Sequence, residues 1–324
     1  MRCRILRAVL LGLVAIAAED GVAERYPAQP VRLVVPQAPG GQADVIARLV
    51  AQRLGEMLRQ PVVVVNHGGV GGTIGADLAA KAPADGYTLL LGGSNNLALA
   101  KVLRPDLPYD PVRDFVAIRA VARVPYGLAV NPKLPVRTLG ELLDYARARP
   151  GRLNYGSGGT GSTSSLGVRM LEAAAALDIV EVPYGGSAPA VTALVAGQVD
   201  LAIVDLALLI PHARTGALRL LAAAGARRAA TAPELPTIAE QGFPGYRLDA
   251  WYAIVAPAGT PAEALTTLRN ALSEMLRAPD FRQRLERLGY DPADENAAGL
   301  EALIRADIDK YSALVERGNI KAAK

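Results

Sequence analysis

Cysteine and histidine are scarce in this sequence, and their scarcity excludes several kinds of site. Among 324 residues there is one cysteine, Cys3, and there are two histidines, His67 and His212. Cys3 precedes the first apolar run, so it supplies neither a disulfide nor a lipid anchor to an exported chain. The histidines lack the close spacing of a metal-binding pair. We therefore expect no metal ion and no other cofactor.

A hydrolytic centre is also poorly supported. The sequence has no Gly-x-Ser-x-Gly element, and a nucleophile at Ser94, Ser157 or Ser162 would need one of the histidines beside it. We expect a protein that is not an enzyme. The alternative left open is an exported hydrolase or lyase acting on a small organic acid. A histidine or carboxylate with a shifted pKa in the cleft would favour it.

Long apolar runs are confined to the N-terminus. Arginines among the first residues precede the run Ala8–Ala18, and small residues follow it. A membrane-spanning helix needs roughly 20 apolar residues, more than this run provides. The pattern predicts a secretory signal peptide over residues 1–23, cleaved after Ala17 or, as we favour, after Ala23. We expect export to the periplasm without stable membrane insertion.

Charge of one sign is not in large excess. The chain has 35 basic and 31 acidic residues, a formal net charge of +4, and the composition gives no sign of a nucleic-acid partner. A chain of this length is expected to form two domains of ordinary size.

The sequence does contain a regular alternation of short β-branched runs with helical patterns, which is typical of doubly wound, parallel α/β domains. The first cycle has predicted strands at Val31–Val35, Val62–Asn66 and Tyr87–Leu91, with helices near 41–58 and 73–81. The second has strands at Leu128–Val130, Leu153–Tyr155, Ile179–Val182, Leu201–Val204 and Leu218–Ala223, with helices near 139–148, 162–176 and 188–196. After a strand at Trp251–Val255, helices are predicted near 262–277, 280–288 and 300–317.

Two extended segments, Ile118–Val130 and Arg247–Val255, are placed to pass between the domains and are predicted to be hinge strands. After the leader, domain 1 is predicted to comprise residues 24–124 and 249–324, and domain 2 residues 125–248.

The first predicted helix has apolar residues every three or four positions, which indicates one buried stripe. Its members are Val45, Ile46, Leu49, Val50, Leu54 and Leu58, and Arg48, Gln52 and Glu56 are predicted to lie outside it. Asp44 falls in the first turn, where a carboxylate can cap backbone N–H groups or face a ligand. The sequence leaves both roles open.

Glycines cluster where predicted strands end and helices begin, at Gly40-Gly41, Gly68–Gly72, Gly156–Gly161 and Gly185-Gly186. At such turns, free N–H groups and the positive end of the helix dipole face the edge of the sheet where ligands bind. One cluster alone is explained by a tight turn. Four clusters on two domains indicate an anion held between the domains.

The cluster Gly156–Gly161 also matches the Gly-x-Gly-x-x-Gly fingerprint of dinucleotide-binding proteins, with Glu181 at about the expected distance. Against a dehydrogenase, the turn opens the second domain rather than the first, and no catalytic acid–base set accompanies it. We therefore expect no nicotinamide cofactor.

Several short motifs follow one another along the whole chain after the leader: Tyr26–Pro30, Val34–Asp44, Asp85–Tyr87, Leu107–Asp110, Leu153–Tyr155, Gly159–Ser162, Val182–Tyr184, Gly197–Leu201, Pro236-Thr237 and Ala256–Pro261. These stretches strongly resemble the Bug/TctC receptors of tripartite tricarboxylate transporters. The resemblance implies an α/β, two-domain periplasmic-binding-protein fold (Venus flytrap, type II-like) with two hinge strands. Its first domain is built from both chain ends.

The resemblance also implies that backbone groups, hydroxyls and ordered water hold the ligand carboxylate. Carried over residue by residue, this points to Gly40, Gly41, Ser94, Ser157, Thr160, Gly161, Tyr184 and Gly185. The candidate ligand-binding set is completed by Asp44, Asn66, Gly71, Asn95, Ser162 and Asp205.

The chain departs from the family pattern at several positions. His67-Gly68 stands where Arg-Pro is usual, Leu97 and Ser165 where histidine is often found, and Val204-Asp205 where Asp-Asn is common. We expect Leu97 and Val204 to make the far end of the pocket less polar, which would favour an aromatic or branched acid over an amino acid.

The expected function is that of an extracytoplasmic receptor, which captures a small carboxylate (a di- or tricarboxylate, an aromatic acid or similar). It would deliver this ligand to the membrane components of a tripartite tricarboxylate transporter. A ligand-binding accessory of a sensor kinase is the other alternative to an exported enzyme. We expect a monomer.

Overall fold

The structure is a computed structural model that describes residues 26–248 and 250–316, so the predicted signal peptide lies outside the described residues. The strands are β1 (Val31–Val35), β2 (Val62–Asn66), β3 (Thr88–Gly93), β4 (Phe115–Val124), β5 (Tyr126–Val130), β6 (Asn154–Ser157), β7 (Val180–Pro183), β8 (Leu201–Asp205), β9 (Arg219–Ala223), β10 (Ala250–Pro257) and β11 (Asp291–Pro292). The helices are α1 (Gln42–Leu58), α2 (Thr73–Ala80), α3 (Ala100–Leu103), α4 (Leu139–Arg147), α5 (Thr163–Ala175), α6 (Ser187–Ala196), α7 (Leu206–Arg214), α8 (Ala262–Arg277), α9 (Pro279–Arg287) and α10 (Ala297–Glu316). Within these ranges, no helix is long and apolar enough to cross a membrane.

The strands form two sheets, and we call each sheet with its helices a lobe. The order is β11-β4-β10-β3-β1-β2 in lobe 1 and β7-β6-β8-β5-β9 in lobe 2. The strand–helix cycles produce parallel neighbours, β1 with β2 and β3, and β6 with β7 and β8. In contrast, β10 and β5 are antiparallel to both of their neighbours. The sheets are therefore mixed, because the strands that follow a crossing between lobes run against the sheet they join.

The chain crosses between the lobes at two places. The first predicted hinge strand is divided at Pro125, where β4 ends in lobe 1 and β5 begins in lobe 2. Proline has no N–H to continue a strand ladder, while its carbonyl accepts a hydrogen bond from the N–H of Leu206 (2.8 Å). On the return, the Leu248 N–H donates to the carbonyl of Ala224 (2.9 Å) before β10 begins at Ala250. The domain limits stay a prediction.

The sequence prediction missed several local elements, of which three lie after predicted strands of the sheets. Helix α7 follows β8 directly, but the continuous apolar run Leu206–Ile210 shows no helical period, and Pro211 lies inside the helix. The turn Val70–Gly72 is a 3-10 helix with Gly71 at φ 67°. The segment Asn95–Leu99 is a π-helical turn that leads into α3. Both turns lie at the edge of lobe 1 that faces lobe 2.

The buried face of α1 differs at one position from the predicted stripe. Val45 is 36% exposed, whereas Ile46, Val50 and Leu54 are fully buried. The helix presents the small residue Ala47 to the core as well, so the centre of its apolar face lies away from Val45. Including Val45 in the stripe was wrong.

Lobe 1 is completed by the C-terminal helix α10, which is held to β10 by a buried polar contact. The indole Nε1 of Trp251 donates to Oδ2 of Asp307 (2.8 Å), and both side chains are at most 1% exposed. The other oxygen, Oδ1, pairs with Nζ of Lys310 at 2.7 Å and lies 3.9 Å from Nη2 of Arg247. Asp307 therefore links α10 to the strand that returns from lobe 2.

Replacing Asp307 tests this link. Asp307→Ala leaves the Trp251 N–H and the Lys310 ammonium without their shared acceptor, so we expect the free energy of unfolding to fall by roughly 3 kcal/mol. Urea unfolding at neutral pH measures the change. Asp309→Ala, at an exposed position of the same helix, is the matched control and should cost less than about 0.5 kcal/mol. Equal losses in the two variants would contradict the assignment.

Candidate ligand-binding site

Two adjoining cavities lie between the lobes. The inner cavity, of about 30 Å³, is lined by Gln37, Gln42, Gly71, Gly93, Ser94, Asn95, Asn96, Val124, Tyr126, Thr163, Ala250, Trp251 and Tyr252. The outer cavity, of about 470 Å³, is lined by Val70, Gly71, Thr73, Asn95, Leu99, Ala100, Leu103, Arg104 and Gly158–Ser162. Gly71 and Asn95 belong to both, so the two cavities form one cleft.

The lobe 2 wall of the cleft is the loop between β6 and α5. Gly159 and Gly161 have φ angles of 116° and 79°, a conformation that favours glycine. The Gly158 and Gly159 N–H groups are bonded within the loop, to Oγ of Ser164 (2.7 Å) and Oγ of Ser157 (3.2 Å). The N–H groups of Thr160 and Gly161 donate to no described residue. These two donors are therefore available to a ligand.

Two helices begin beside this loop. Ser162 caps α5, and its Oγ accepts from the N–H of Ser165 (3.2 Å). Helix α6 begins after Gly186 without a side-chain cap. The N–H nitrogen of Ser187 would lie 3.2 Å from a Cβ placed on Gly158, so the α6 N-terminus is against the loop. Because helix N-termini carry partial positive charge, their convergence favours an anion.

The lobe 1 wall begins with the loop from β1 to α1, which Asp44 organises. Its Oδ2 accepts from the Gly40 N–H and from Nε of Arg48, each at 2.9 Å, and its Oδ1 accepts from Nδ2 of Asn66 at 2.9 Å. The Arg48 hydrogen bond is the main reason that the pKa of this buried carboxyl falls to about 2. Asp44 thus remains ionised and supports the loop rather than lining either cavity.

Asn95 lies where the lobes meet. Its Oδ1 accepts a hydrogen bond from Oγ1 of Thr163 across the cleft at 2.6 Å. The adjacent Asn96 fixes the π-helical turn, because its side chain accepts from the Gly93 N–H (2.9 Å) and its carbonyl accepts from the hydroxyl of Tyr109 (2.6 Å). Farther out, Cδ1 of Leu103 lies 3.5 Å from the Cβ position of Gly161. The lobes are therefore in direct contact through Asn95 and Thr163.

The structure brings six of the predicted site residues to the cavities: Gly71, Ser94, Asn95, Thr160, Gly161 and Ser162. The others lie outside the lining. Gly40 and Gly41 belong to the β1–α1 loop, Asp44 lies in the first turn of α1, and Asn66 ends β2. Tyr184 and Gly185 precede α6, and Ser157 and Asp205 are fully buried.

Several lining residues escaped the sequence prediction. Gln37 and Gln42 flank the predicted glycine turn, and Thr163 follows the predicted Ser162. These three residues therefore adjoin the predicted strand-to-helix turns, and the turns could have been used to find them. Leu103 and Arg104 follow the unpredicted π-helical turn. No motif in the sequence placed them at the cleft.

Leu97 and Val204 do not line the cleft. Leu97 is fully buried in lobe 1, packed on Gly92 of β3, and Val204 is fully buried in the apolar core of lobe 2. The expectation that they set the polarity of the pocket was wrong. Each side chain faces a lobe interior, which the linear sequence did not distinguish from the cleft.

Glu181 has a structural role that does not fit a dinucleotide site. One oxygen accepts from Oγ of Ser157 (2.8 Å) and the other pairs with Nη2 of Arg169 (2.9 Å). A ribose hydroxyl would have to displace these partners. The turn Gly156–Gly161 thus has the backbone pattern of the dinucleotide fingerprint, but Glu181, the acidic residue that would bind the ribose, is already bonded to Ser157 and Arg169.

A third cavity, of about 240 Å³, lies at the two crossings and is lined in part by Arg123, Arg227, Arg247 and Asp291. Its charges are largely matched within the protein, because Arg123 pairs with Glu295 and Arg247 lies 3.9 Å from Asp307. The cleft offers unbonded N–H donors instead, so it is the better anion site.

Asp205 is a buried carboxyl close to the lobe junction. It ends β8, is fully buried, and neither oxygen forms a hydrogen bond with a described residue. Burial raises its pKa to about 7, which the nearby Ala207 N–H offsets only in part. Its charge also contributes to raising the pKa of Tyr126, Tyr252 and Tyr290, although burial is the larger cause for each. Asp205 lines neither cavity of the cleft, so it cannot touch a ligand there directly.

A pH-dependent loss of stability follows from this burial. A carboxyl with a raised pKa in the folded state destabilises the fold as pH rises from the unfolded value, near 3.9, to about 7. Asp205→Asn removes that charge, so the free energy of unfolding of the variant should be higher than that of the wild type by up to roughly 4 kcal/mol at pH 8. The advantage should shrink toward pH 4. Urea unfolding across this range measures it.

The exposed substitution Asp309→Asn serves as the matched control and should track the wild type at every pH. A constant offset between Asp205→Asn and the wild type from pH 4 to pH 8 would show that the carboxyl does not titrate differently on folding.

Comparison with known proteins gives the family. The sequence profile described as the tripartite tricarboxylate transporter family receptor, TctC, matches residues 46–320. The chain belongs to this receptor family. Protein BugT of Bordetella pertussis (strain Tohama I) is 36% identical over 300 residues, which cover 92% of this chain and 92% of BugT.

Two solved structures of TctC-like proteins carry ligands. Rpa4515 of R. palustris with adipate has a TM-score of 0.83 and 36% identity, covering 91% of this chain and 99% of its own. MatC (Rpa3494) from Rhodopseudomonas palustris with bound malate has a TM-score of 0.79 and 32% identity, and the match covers 90% of this chain and 100% of the MatC chain. The predicted fold of a two-domain periplasmic binding protein is confirmed. The chain is a member of a family of periplasmic solute-binding proteins.

Proposed function

We propose that this TctC receptor captures a small carboxylate in the cleft and delivers it to the membrane components of a tripartite tricarboxylate transporter. The observation that carries the proposal is the pair of unbonded N–H groups at Thr160 and Gly161. They lie at the N-terminus of α5, beside that of α6, and face lobe 1 across the outer cavity.

These donors stabilise a carboxylate without a paired cation. The loop that presents them is fixed by its own hydrogen bonds, so little reorganisation accompanies the arrival of charge. A helix N-terminus contributes roughly half a positive elementary charge. Since Asp44 and Glu181 are already paired with arginines, they do not present free negative charge to the ligand.

Closure of the lobes completes the site. Rotation about the crossings at Pro125 and near Leu248 would separate Asn95 from Thr163, and a ligand bonded to both lobes would favour their approach. The closed surface, which combines both lobes, is what a transporter in the membrane would recognise. We place the protein in the periplasm, after removal of residues 1–23, as a monomer.

Binding without chemical turnover is the property that distinguishes a receptor from an enzyme. Asp205 has the shifted pKa that would favour catalysis, but it lines neither cavity of the cleft. A receptor returns its ligand unchanged. A hydrolase or lyase acting on a small acid would consume it.

Ligand capture can be measured through stability and fluorescence. Protein refolded to remove carried-over ligand is screened against aliphatic dicarboxylates, tricarboxylates, aromatic acids and amino acids. A ligand at 100 times its Kd should stabilise the fold by about 2.7 kcal/mol. The single tryptophan, Trp251, lines the inner cavity and reports closure. Recovery of the acid by chromatography after incubation tests turnover.

Thr163→Val should lower the affinity for the acid identified in this way about fivefold, because the substitution removes the hydrogen bond across the cleft. Thr192→Val is the control, since Thr192 is an exposed residue of α6 that bonds only to the carbonyl of Ala188 (3.2 Å) in its own helix. Stabilisation by no acid, or loss of the acid on incubation, would refute the receptor.

A further inference from the structure

Asp205 lies at the junction of the lobes, one side chain away from the cleft. It is opposite Tyr126 in the β5–β8 ladder, and its charge acts on the phenols of Tyr252 and Tyr290, which belong to lobe 1. Tyr126 and Tyr252 line the inner cavity, whereas Asp205 does not. The carboxyl is therefore covered by residues of both lobes and does not reach a bound ligand.

The cover from lobe 1 is close. Gly289, between α9 and β11, has a φ angle of 87°, and a Cβ placed on it would lie 2.5 Å from the Cβ of Ala207. Ala207 follows Asp205 by two residues, in the first turn of α7. Separation of the lobes would withdraw the Gly289 segment and the two lobe 1 tyrosines from Asp205, and water would reach the carboxyl.

An ionised carboxylate is unfavourable in this closed arrangement. Asp205 is fully buried, and neither of its oxygens accepts a hydrogen bond from a described residue. Removal of a carboxylate from water without a partner favours the protonated form, which is why the pKa of the buried group is raised to about 7. With water returned in the open state, the carboxyl would titrate near its ordinary value of about 3.9.

The phenols that face Asp205 do not titrate in its place. Burial raises the pKa of Tyr126, Tyr252 and Tyr290, so each phenol stays neutral near pH 7. They come from β5, from β10 and from the segment before β11. A proton taken up at this junction near pH 7 therefore belongs to the carboxyl.

Charged side chains of the neighbouring elements do not replace the missing partner. His212 and Arg214 of α7 lie in its last turn. On α5, which also packs on β8, Arg169 pairs with Glu181 (2.9 Å) and Glu172 accepts from a backbone N–H. Strands β5 and β6 and helix α6 carry no charged residue. Among the described residues, no cation shifts the titration of the carboxyl.

We propose that Asp205 is a proton switch for lobe closure, so that the receptor takes up a proton from solution when it closes on its ligand. The inference rests on the proposed function and concerns the regulation of the same cleft. The proton binds to one carboxylate oxygen, which converts the anion to the neutral acid and removes one negative charge from the junction. Because the closed state binds this proton more tightly than the open state, ligand affinity should rise as pH falls from about 7 toward 4 and should level off above 7.

Calorimetry of the mature protein counts the proton directly. Adipate, the acid present with the relative Rpa4515, is titrated in buffers of different ionisation enthalpy at pH 6.5 and pH 8.5, and the acid that stabilises most in the screen replaces it if adipate does not bind. The wild type should take up about 0.7 proton more per acid bound than Asp205→Asn at pH 6.5, and the two should agree at pH 8.5. The difference between the two proteins cancels the titration of the acid and of every other group.

Affinities give an independent measure. Asp205→Asn keeps the shape of the side chain but cannot ionise, so it should bind at least tenfold more tightly than the wild type at pH 8. From pH 6 to pH 8 the wild-type affinity should fall about tenfold relative to that of the variant. Asp309→Asn, an exposed substitution on α10, is the matched control and should follow the wild type at both pH values.

The outcomes separate the proton switch from the receptor function. If an acid binds but the proton uptake persists in Asp205→Asn, or the wild type and this variant show the same pH dependence, the switch is wrong and the receptor stands. If no acid binds at either pH, carboxylate capture is refuted and the switch with it. If Asp205→Asn does not fold, the wild type alone decides, because equal proton uptake at pH 6.5 and pH 8.5 contradicts the switch.

Discussion

An anion between two lobes has to be stabilised by dipoles that are fixed before it arrives, and the architecture of this protein serves that constraint. The loop from β6 to α5 uses its serine hydroxyls to bond the first N–H groups and leaves those of Thr160 and Gly161 unbonded. Water would weaken such donors in an open site, because the effective dielectric constant falls only when solvent is excluded. Lobe closure is therefore part of the electrostatics.

The charges near the cleft are arranged consistently with this. The carboxylates of Asp44 and Glu181 lie next to the loops for which we propose anion binding, and each is paired with an arginine of its own lobe. Asp205 has no such partner, and the structure favours its neutral form through burial. The three carboxyl groups thus avoid presenting free negative charge to the cleft by two different physical routes.

The sequence predicted the parts of this site that depend on short-range backbone patterns. Alternating runs and glycine turns located β1, β6, α5 and the loop of Thr160 and Gly161, because strand-to-helix turns have a local composition. Features set by tertiary packing could not be found this way. Leu97 and Val204 are apolar residues whose direction depends on the core behind them, and α7 forms although its apolar run and Pro211 conceal a helical period.

Arg104 illustrates the same limit from the other side. It lines the outer cavity at the end of α3, the short helix that follows the π-helical turn Asn95–Leu99. Lys101 and Arg104 are both basic residues of one short segment, so the sequence does not distinguish them. The structure does, because Lys101 pairs with Asp110 whereas Arg104 lines the outer cavity.

The position of β10 between β3 and β4 has a consequence for biogenesis. The sheet of lobe 2 uses the continuous segment 126–223, whereas the sheet of lobe 1 needs β10, which follows that entire segment. The chain becomes available for folding from its N-terminal end. Lobe 2 can therefore form its sheet from contacts within one continuous segment while β3 and β4 still lack β10, the strand between them. During that interval β3 and β4 each have an edge without its native partner, and unpaired strand edges can pair with other chains.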